Sequence, residues 1–178
     1  MRGLQQSSIA MQKLIRLAGQ GDRDAISELY LQLKQPIYLL AYSILHSHAL
    51  AEDVTHDTFI KIMTAAGSYQ SSGSARAWIL EIGRNTALDL LRREKRYASL
   101  DQDTELDDKR LAETEQQLDF LQATKGLSNL DKCIIIYKVF SGLSHVEIAE
   151  SVGMSAGAVR VRYRRILKRL KRFYSEEK

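Results

Sequence analysis

Two groups of residues in this 178-residue sequence are suited to gripping a polyanion, and neither is suited to breaking a covalent bond. Between Arg160 and Arg172 stand eight bases, Arg160, Arg162, Arg164, Arg165, Lys168, Arg169, Lys171 and Arg172, with no acid among them. Such a cluster neutralises phosphates and makes binding steeply salt-dependent. The second group, Arg92, Arg93, Lys95 and Arg96, follows Trp78, Glu81, Asn85 and Asp89 at helical spacing. A carboxamide flanked by an aromatic and by arginines can hydrogen-bond and stack on an exposed base. The same spacing also suits an ordinary polar face with a half-buried Trp. Covalent catalysis needs an activated nucleophile, and metal-assisted hydrolysis needs a carboxylate–metal cluster. The sequence displays neither, so no enzyme activity, catalytic residue or cofactor is expected. His46, His48 and His56 lie near one another, but a His-x-His at a helix end reads as surface, so no metal is expected either. Cys133 heads an apolar run and reads as core rather than as a redox switch.

The elements that must carry these groups are helices. One proline, Pro36, and few glycines interrupt long apolar-periodic stretches. The periodicity predicts helices over 8–18, 23–46, 49–66 and 75–97, then 113–126, 129–141, 144–152 and 156–174. Asp22 is placed to N-cap the second, which Pro36 is expected to kink or divide. Gly67 ends the third, and the Ser- and Gly-rich stretch 68–74 is a loop. From Asp101 to Asp119 there are eight acids against Lys109 and Arg110, without apolar periodicity over 98–112. That stretch reads as a flexible acidic linker. The expected architecture is therefore all-α, with two small helical domains: 1–97, a linker at 98–115, and a C-terminal helix-turn-helix domain at 116–178.

The net charge of +4 and the 44% hydrophobic content suit a globular chain of modest core. The apolar run from Cys133 to Tyr137 is far too short to span a bilayer. The single cysteine and the absence of a signal peptide favour a cytoplasmic location.

The sharpest local pattern lies between Leu143 and Leu170. Ser144 and Glu147 have capping-box spacing, and Ile148, Ala149 and Val152 supply a buried face. Gly153 permits a tight turn, Met154 plugs the corner, and Ser155 can cap the next helix. That helix has an apolar stripe of Val159, Tyr163, Ile166 and Leu170. These constraints describe a helix-turn-helix whose second helix enters the major groove; the spacing alone equally suits an αα-hairpin with a solvated basic face, and the eight bases on the second helix favour DNA binding. In the segment 49–66, Val54, Phe59, Ile62 and Ala66 point inward, while Asp53, Asp57 and Ile60 cluster opposite. An acidic face with an apolar knob suits a basic partner helix, and equally an ordinary solvated face.

Taken in order, three segments resemble the sigma factors of bacterial RNA polymerase, best the small extracytoplasmic-function branch of the sigma-70 family. Ala51-Glu52-Asp53-Val54-Thr55-His56-Asp57-Thr58-Phe59-Ile60-Lys61 resembles the family's core-polymerase-binding segment. The run from Ala77-Trp78-Ile79 to Leu91-Arg92-Arg93 resembles its segment for recognising and melting the minus-ten element. Gly142-Leu143-Ser144-His145-Val146-Glu147-Ile148-Ala149-Glu150 and Val159-Arg160-Val161-Arg162 resemble its minus-thirty-five reader. The resemblance implies promoter-directing activity with core RNA polymerase and promoter DNA as partners, and commonly an anti-sigma factor. It implies a chain that is monomeric when free and not inserted in a membrane. Asp53, His56, Asp57 and Ile60 would meet the polymerase. Trp78, Asn85, Asp89, Arg92, Arg93 and Arg96 would meet the melting strand, with Asn85 capturing a flipped base. Ser155, Arg160, Arg162, Arg164 and Arg165 would meet the minus-thirty-five element, and the linker's acids would mimic phosphate in a nucleic-acid channel. His56 stands where Gln is common, which leaves the docking geometry open; Ala75-Arg76 stands where aromatics are frequent, so melting would lean on Trp78 and Asn85; Glu81 stands where Tyr or a base is frequent, so promoter preference is open. A free-standing helix-turn-helix regulator, a DNA recombinase and a helical scaffold are the competing readings, and dependence on polymerase separates them.

Overall fold

The computed structural model describes residues 2–70, 73–98 and 115–176, with side chains over 9–70, 73–96 and 119–175. The described residues form eight α-helices: α1 Arg2–Gly19, α2 Arg23–Leu45, α3 His48–Ala65, α4 Ala75–Ala98, α5 Glu115–Thr124, α6 Asn129–Val139, α7 His145–Val152 and α8 Ala156–Glu176. A 3₁₀ turn, Ala66–Ser68, follows α3. The acidic linker expected over 98–115 lies outside the described residues, apart from its two ends.

Helix starts follow the capping chemistry legible in the chain. Asp22 accepts from the Ala25 N–H at 2.9 Å, and Ser47, Ser128 and Ser144 cap α3, α6 and α7 in the same way. Each cap satisfies one of the orphan N–H donors of a first turn. Of the two outcomes expected at Pro36, a kink or a division, the division does not occur: α2 runs as one helix from Arg23 to Leu45 with Pro36 inside it. Pro36 is buried among Leu33, Ile37 and Leu40 of the same helix, and this packing offsets the one backbone hydrogen bond that proline removes.

Helices α1 to α4 pack around Ile15, Leu29, Leu33, Ile37, Leu40, Val54, Ile62 and Ile79. Gly83 lets α4 come close to α2 and α3, because a Cβ there would stand 3.2 Å from Ile37 Cγ2. Helices α5 to α8 pack around Ile134, Ile136, Ile148, Val159 and Ile166.

These two groups are not independent bodies. In α6 the six consecutive residues from Lys132 to Tyr137 are all buried. Six residues turn through more than a full helical circle, so α6 is covered on every side. It packs on α7 and α8 from one side and on α2 from the other, while α4 meets α7. Arg76 ties the groups together, with Nη2 donating to Gln32 Oε1 at 2.8 Å and Nη1 to the Ser141 carbonyl at 3.2 Å. Lys132 Nζ donates to the Ser43 carbonyl at 3.3 Å. Nearly all the buried hydrophobic residues form one continuous cluster that takes in both helical groups. This junction was foreshadowed only by the apolar run after Cys133, which reads as core without saying whose. No described helix is long and apolar enough to cross a membrane.

Candidate nucleic-acid interface

The helix-turn-helix is built as its sequence pattern requires. Ser144 Oγ accepts from the Glu147 N–H at 3.2 Å, and Glu147 Oε2 accepts from the Ser144 N–H at 2.7 Å, completing the capping box. Burial alone would raise the Glu147 carboxyl, but the Ser144 hydrogen bonds outweigh it and hold the group below its ordinary value. Gly153 sits in the left-handed region at φ 67°, and the Met154 N–H reaches the Ala149 carbonyl at 2.9 Å. Ser155 caps α8 by accepting from the Ala158 N–H at 3.2 Å. Val159 and Ile166 are buried, and His145 meets Tyr163 edge-on at 5.4 Å.

On α8 the side chains of Ser155, Arg160, Arg164 and Arg165 are exposed. Arg162 differs: it is half-buried, and its Nε donates to Asp131 Oδ1 of α6 at 3.1 Å. His145 lies next to this surface. Its cover from water, and then the charges of Lys138, Arg160 and Arg164, hold its imidazole below the ordinary range. Arg165 also borders a groove of about 450 Å³ against Leu127 and Asp131, shared with Lys168, Arg169 and Arg172. The positive surface of α8 therefore continues past the expected reader residues.

On α4 the residues Asn85, Asp89, Arg92, Arg93 and Arg96 are exposed, while Ile79, Gly83, Thr86 and Ala87 are buried. Asp89 and Arg92 form an exposed ion pair at 2.8 Å. Trp78 is half-buried and packs against Tyr69 with ring centroids 5.0 Å apart. Tyr69 is absent from the sequence-based set, since it lies in the loop before α4 and contributes no periodicity. Leu80 is also fully buried, so α4 covers itself on a second side that a single apolar stripe does not reveal.

On α3 the residues Asp53, His56, Asp57 and Ile60 are exposed together, with Ile60 at 55%. His56 stacks on Tyr30 of α2 at 6.4 Å, and Lys34 stands 5.7 Å over the same ring. Beside Tyr30 in the chain, Leu31 is 78% exposed. Leu31 is a second apolar knob that the reading of α3 alone could not find. The histidines separate: His56 stands with Tyr30, whereas His46 and His48 both pack on Tyr42.

Residues 29–97 match Sigma-70 region 2, and residues 117–170 match Sigma-70, region 4, together more than two thirds of the chain. The chain is 26% identical over 170 residues to the ECF RNA polymerase sigma factor SigK of Mycobacterium sp. (strain KMS), covering 89% of this chain and 87% of that one. It is 28% identical over 159 residues to RNA polymerase sigma factor YlaC of Bacillus subtilis (strain 168), covering 84% and 92% respectively. Its fold is similar to that of CnrH, solved with the cytosolic domain of CnrY, at a TM-score of 0.68 and 22% identity over 95% of this chain and 99% of that one. It is equally similar to the sigma factor RpoE of Bartonella quintana, solved with the anti-sigma factor NepR, at a TM-score of 0.67 and 24% identity over 88% and 99%. With both region matches in order on the two helical groups, the chain belongs to the sigma-70 family of promoter-directing RNA polymerase subunits, in its extracytoplasmic-function branch.

Proposed function

We propose that the two helical groups divide promoter recognition between them, acting in the cytoplasm without catalysing a reaction themselves. The exposed face of α3, with Asp53, His56, Asp57 and Ile60 beside Tyr30 and Leu31, docks on core polymerase. Acids around an apolar knob suit a basic partner surface, and the knob supplies the desolvated centre. Asn85, with Trp78 and Tyr69 behind it, captures an extruded base of the minus-ten element, while Arg92, Arg93 and Arg96 hold the adjoining phosphates. Ser155, Arg160, Arg164 and Arg165 meet the minus-thirty-five element in the major groove. Arg162, engaged by Asp131, serves mainly to seat α8 on α6.

The observation that carries this reading is the pair of exposed basic faces, one on α4 and one on α8, held on a single protein. Elements about 25 base pairs apart are separated by roughly 85 Å of duplex. A compact chain of this length has a radius of gyration of roughly 16 Å. The packed arrangement is therefore too small to grip both elements, and the junction at α6 must open on the promoter. The sixteen residues between Ala98 and Glu115 give a reach of at most about 55 Å when extended, which the domains' own dimensions supplement. The packed form is the resting state that polymerase binding opens, and, as RpoE is solved with NepR, an anti-sigma factor is the expected antagonist.

A reconstituted transcription assay tests this. The chain plus core polymerase should yield promoter-directed transcripts, and the isolated chain should bind promoter fragments only weakly. Tight sequence-specific binding by the free chain, unchanged by core polymerase, would instead make it a free-standing regulator.

A further inference from the structure

Val161 stands in the middle of the basic face of α8 and is 56% exposed. With about 100° between successive residues, it lies roughly 160° around the helix from the buried Val159. Gly157, one turn before it, shares this outward line, as do Arg164 and Lys168 after it, and all three are exposed. Arg160 and Arg165, also exposed, flank it. Packing within the protein accounts for neither Val161 nor Gly157. A β-branched residue and a glycine are both poor helix formers. Gly157 lacks the positive φ of Gly142 and Gly153, and a Cβ on it would meet only Ser155 Oγ, 4.0 Å away. An alanine would fit the fold there, so the bare backbone serves whatever lies against the outer face. Two locally unfavourable residues on one uncovered face point to a partner, and the surrounding arginines make that partner a nucleic acid.

We infer that Val161 reads the 5-methyl group of a thymine in the minus-thirty-five element, and that Gly157 lets the backbone of α8 come close enough for this short side chain to reach it. The inference rests on the reading in which α8 enters the major groove at that element. Valine carries no hydrogen-bond donor or acceptor. Among the features that base pairs present in the major groove, the thymine methyl is the apolar one. Against any other base edge, Val161 would strip water from donors and acceptors and give nothing back. The longer arginines reach past it to guanine edges or phosphates. Val161 thus supplies a preference for thymine that the charged side chains of α8 cannot.

The test uses the full chain with core polymerase and an upstream element obtained by binding selection. Each thymine of that element is replaced in turn by deoxyuridine, which removes the methyl and keeps the pairing. At one position the replacement should weaken holoenzyme binding about fourfold, the worth of one buried methyl group. Val161→Ala should bind the thymine element about as weakly and be indifferent to deoxyuridine at that position. Gly157→Ala should keep the melting temperature of the free chain and weaken binding to thymine and deoxyuridine elements alike. A selected element without thymine, wild-type binding indifferent to deoxyuridine throughout, or a deoxyuridine penalty undiminished in Val161→Ala would overturn the inference while leaving promoter-directed transcription intact. Failure of the holoenzyme to select any upstream element would instead strike the promoter reading, and this inference with it.

Discussion

Arg162 donates its Nε to Asp131 at 3.1 Å while Arg160 and Arg164, two positions to either side, stand exposed. The eight bases of α8 are thus divided by orientation into those that hold the helix and those left for a partner. Arg162→Ala should lower the melting stability of the C-terminal helices by about 1 kcal/mol and leave promoter preference unchanged. Arg160→Ala and Arg165→Ala should each cost ~1–3 kcal/mol of discrimination at the upstream element. Lys171→Ala should weaken binding evenly across sequences and flatten its salt dependence. Binding selections with holoenzyme, run beside thermal melts, separate these outcomes. Identical behaviour of Arg160, Arg165 and Lys171 would mean that α8 is only a phosphate clamp.

Asn85 is exposed on α4 one turn before the Asp89–Arg92 ion pair. Unstacking a base costs a few kcal/mol, and its capture must offset that cost. Asn85→Ala should keep polymerase binding and impair open-complex formation on duplex DNA, with most of the activity restored on a pre-melted bubble. Permanganate reactivity of unpaired thymines and transcript yields on both templates provide the measurement. Equal loss on both templates would reduce Asn85 to a surface residue.

The docking face can be tested at its two knobs. Ile60→Ala and Leu31→Ala should each weaken association with core polymerase by about tenfold, the scale of losing partial burial of one aliphatic side chain. Fluorescence anisotropy with labelled chain reads this directly. Unchanged affinity in both variants would move the docking surface away from α3.

Acidification should loosen the helix-turn-helix. His145 has a folded pKa below its ordinary 6.5, so above about pH 6.5 the folded and unfolded chains are both neutral there and nothing is lost. As pH falls from 6.5 toward the depressed folded value, the unfolded chain takes up the proton first and stability declines. Glu147 is depressed below 4.5, so its contribution is present above that pH and is lost as pH falls through its folded value. Circular-dichroism melts from pH 7.5 to 4 should therefore show a first decline in acid that His145→Asn removes. A decline of the same size in that variant would assign it elsewhere.

Arg76 spans the junction between Gln32 and Ser141. Arg76→Ala should expand the free chain beyond the roughly 16 Å radius of a compact protein of this length. It should also speed amide exchange in α6. Small-angle scattering and hydrogen exchange measure the two effects, and an unchanged radius would show that the apolar contacts of α2 with α6 suffice.

Much of the interface was legible in the residues because local rules write it. Ser144 with Glu147, Gly153 and Ser155 state a capping box, a left-handed turn and a cap within one short stretch, and each forms as spaced. Helical periodicity likewise separates Asn85, Asp89 and Arg92 from Ile79, Gly83 and Thr86 without reference to any other helix. Tertiary contact decided the rest. Periodicity places Arg162 on a helix but not against Asp131, thirty-one residues away. It marks Cys133 to Tyr137 as core without saying that α2 covers one side, or that Lys132 beside this run reaches the Ser43 carbonyl at the junction. Local grounds allowed Pro36 either to kink or to divide α2, and with Pro36 buried the helix is not divided. A local pattern reports which face of a helix is apolar, whereas its partner depends on contacts between residues far apart in the chain, which only the packed structure brings together.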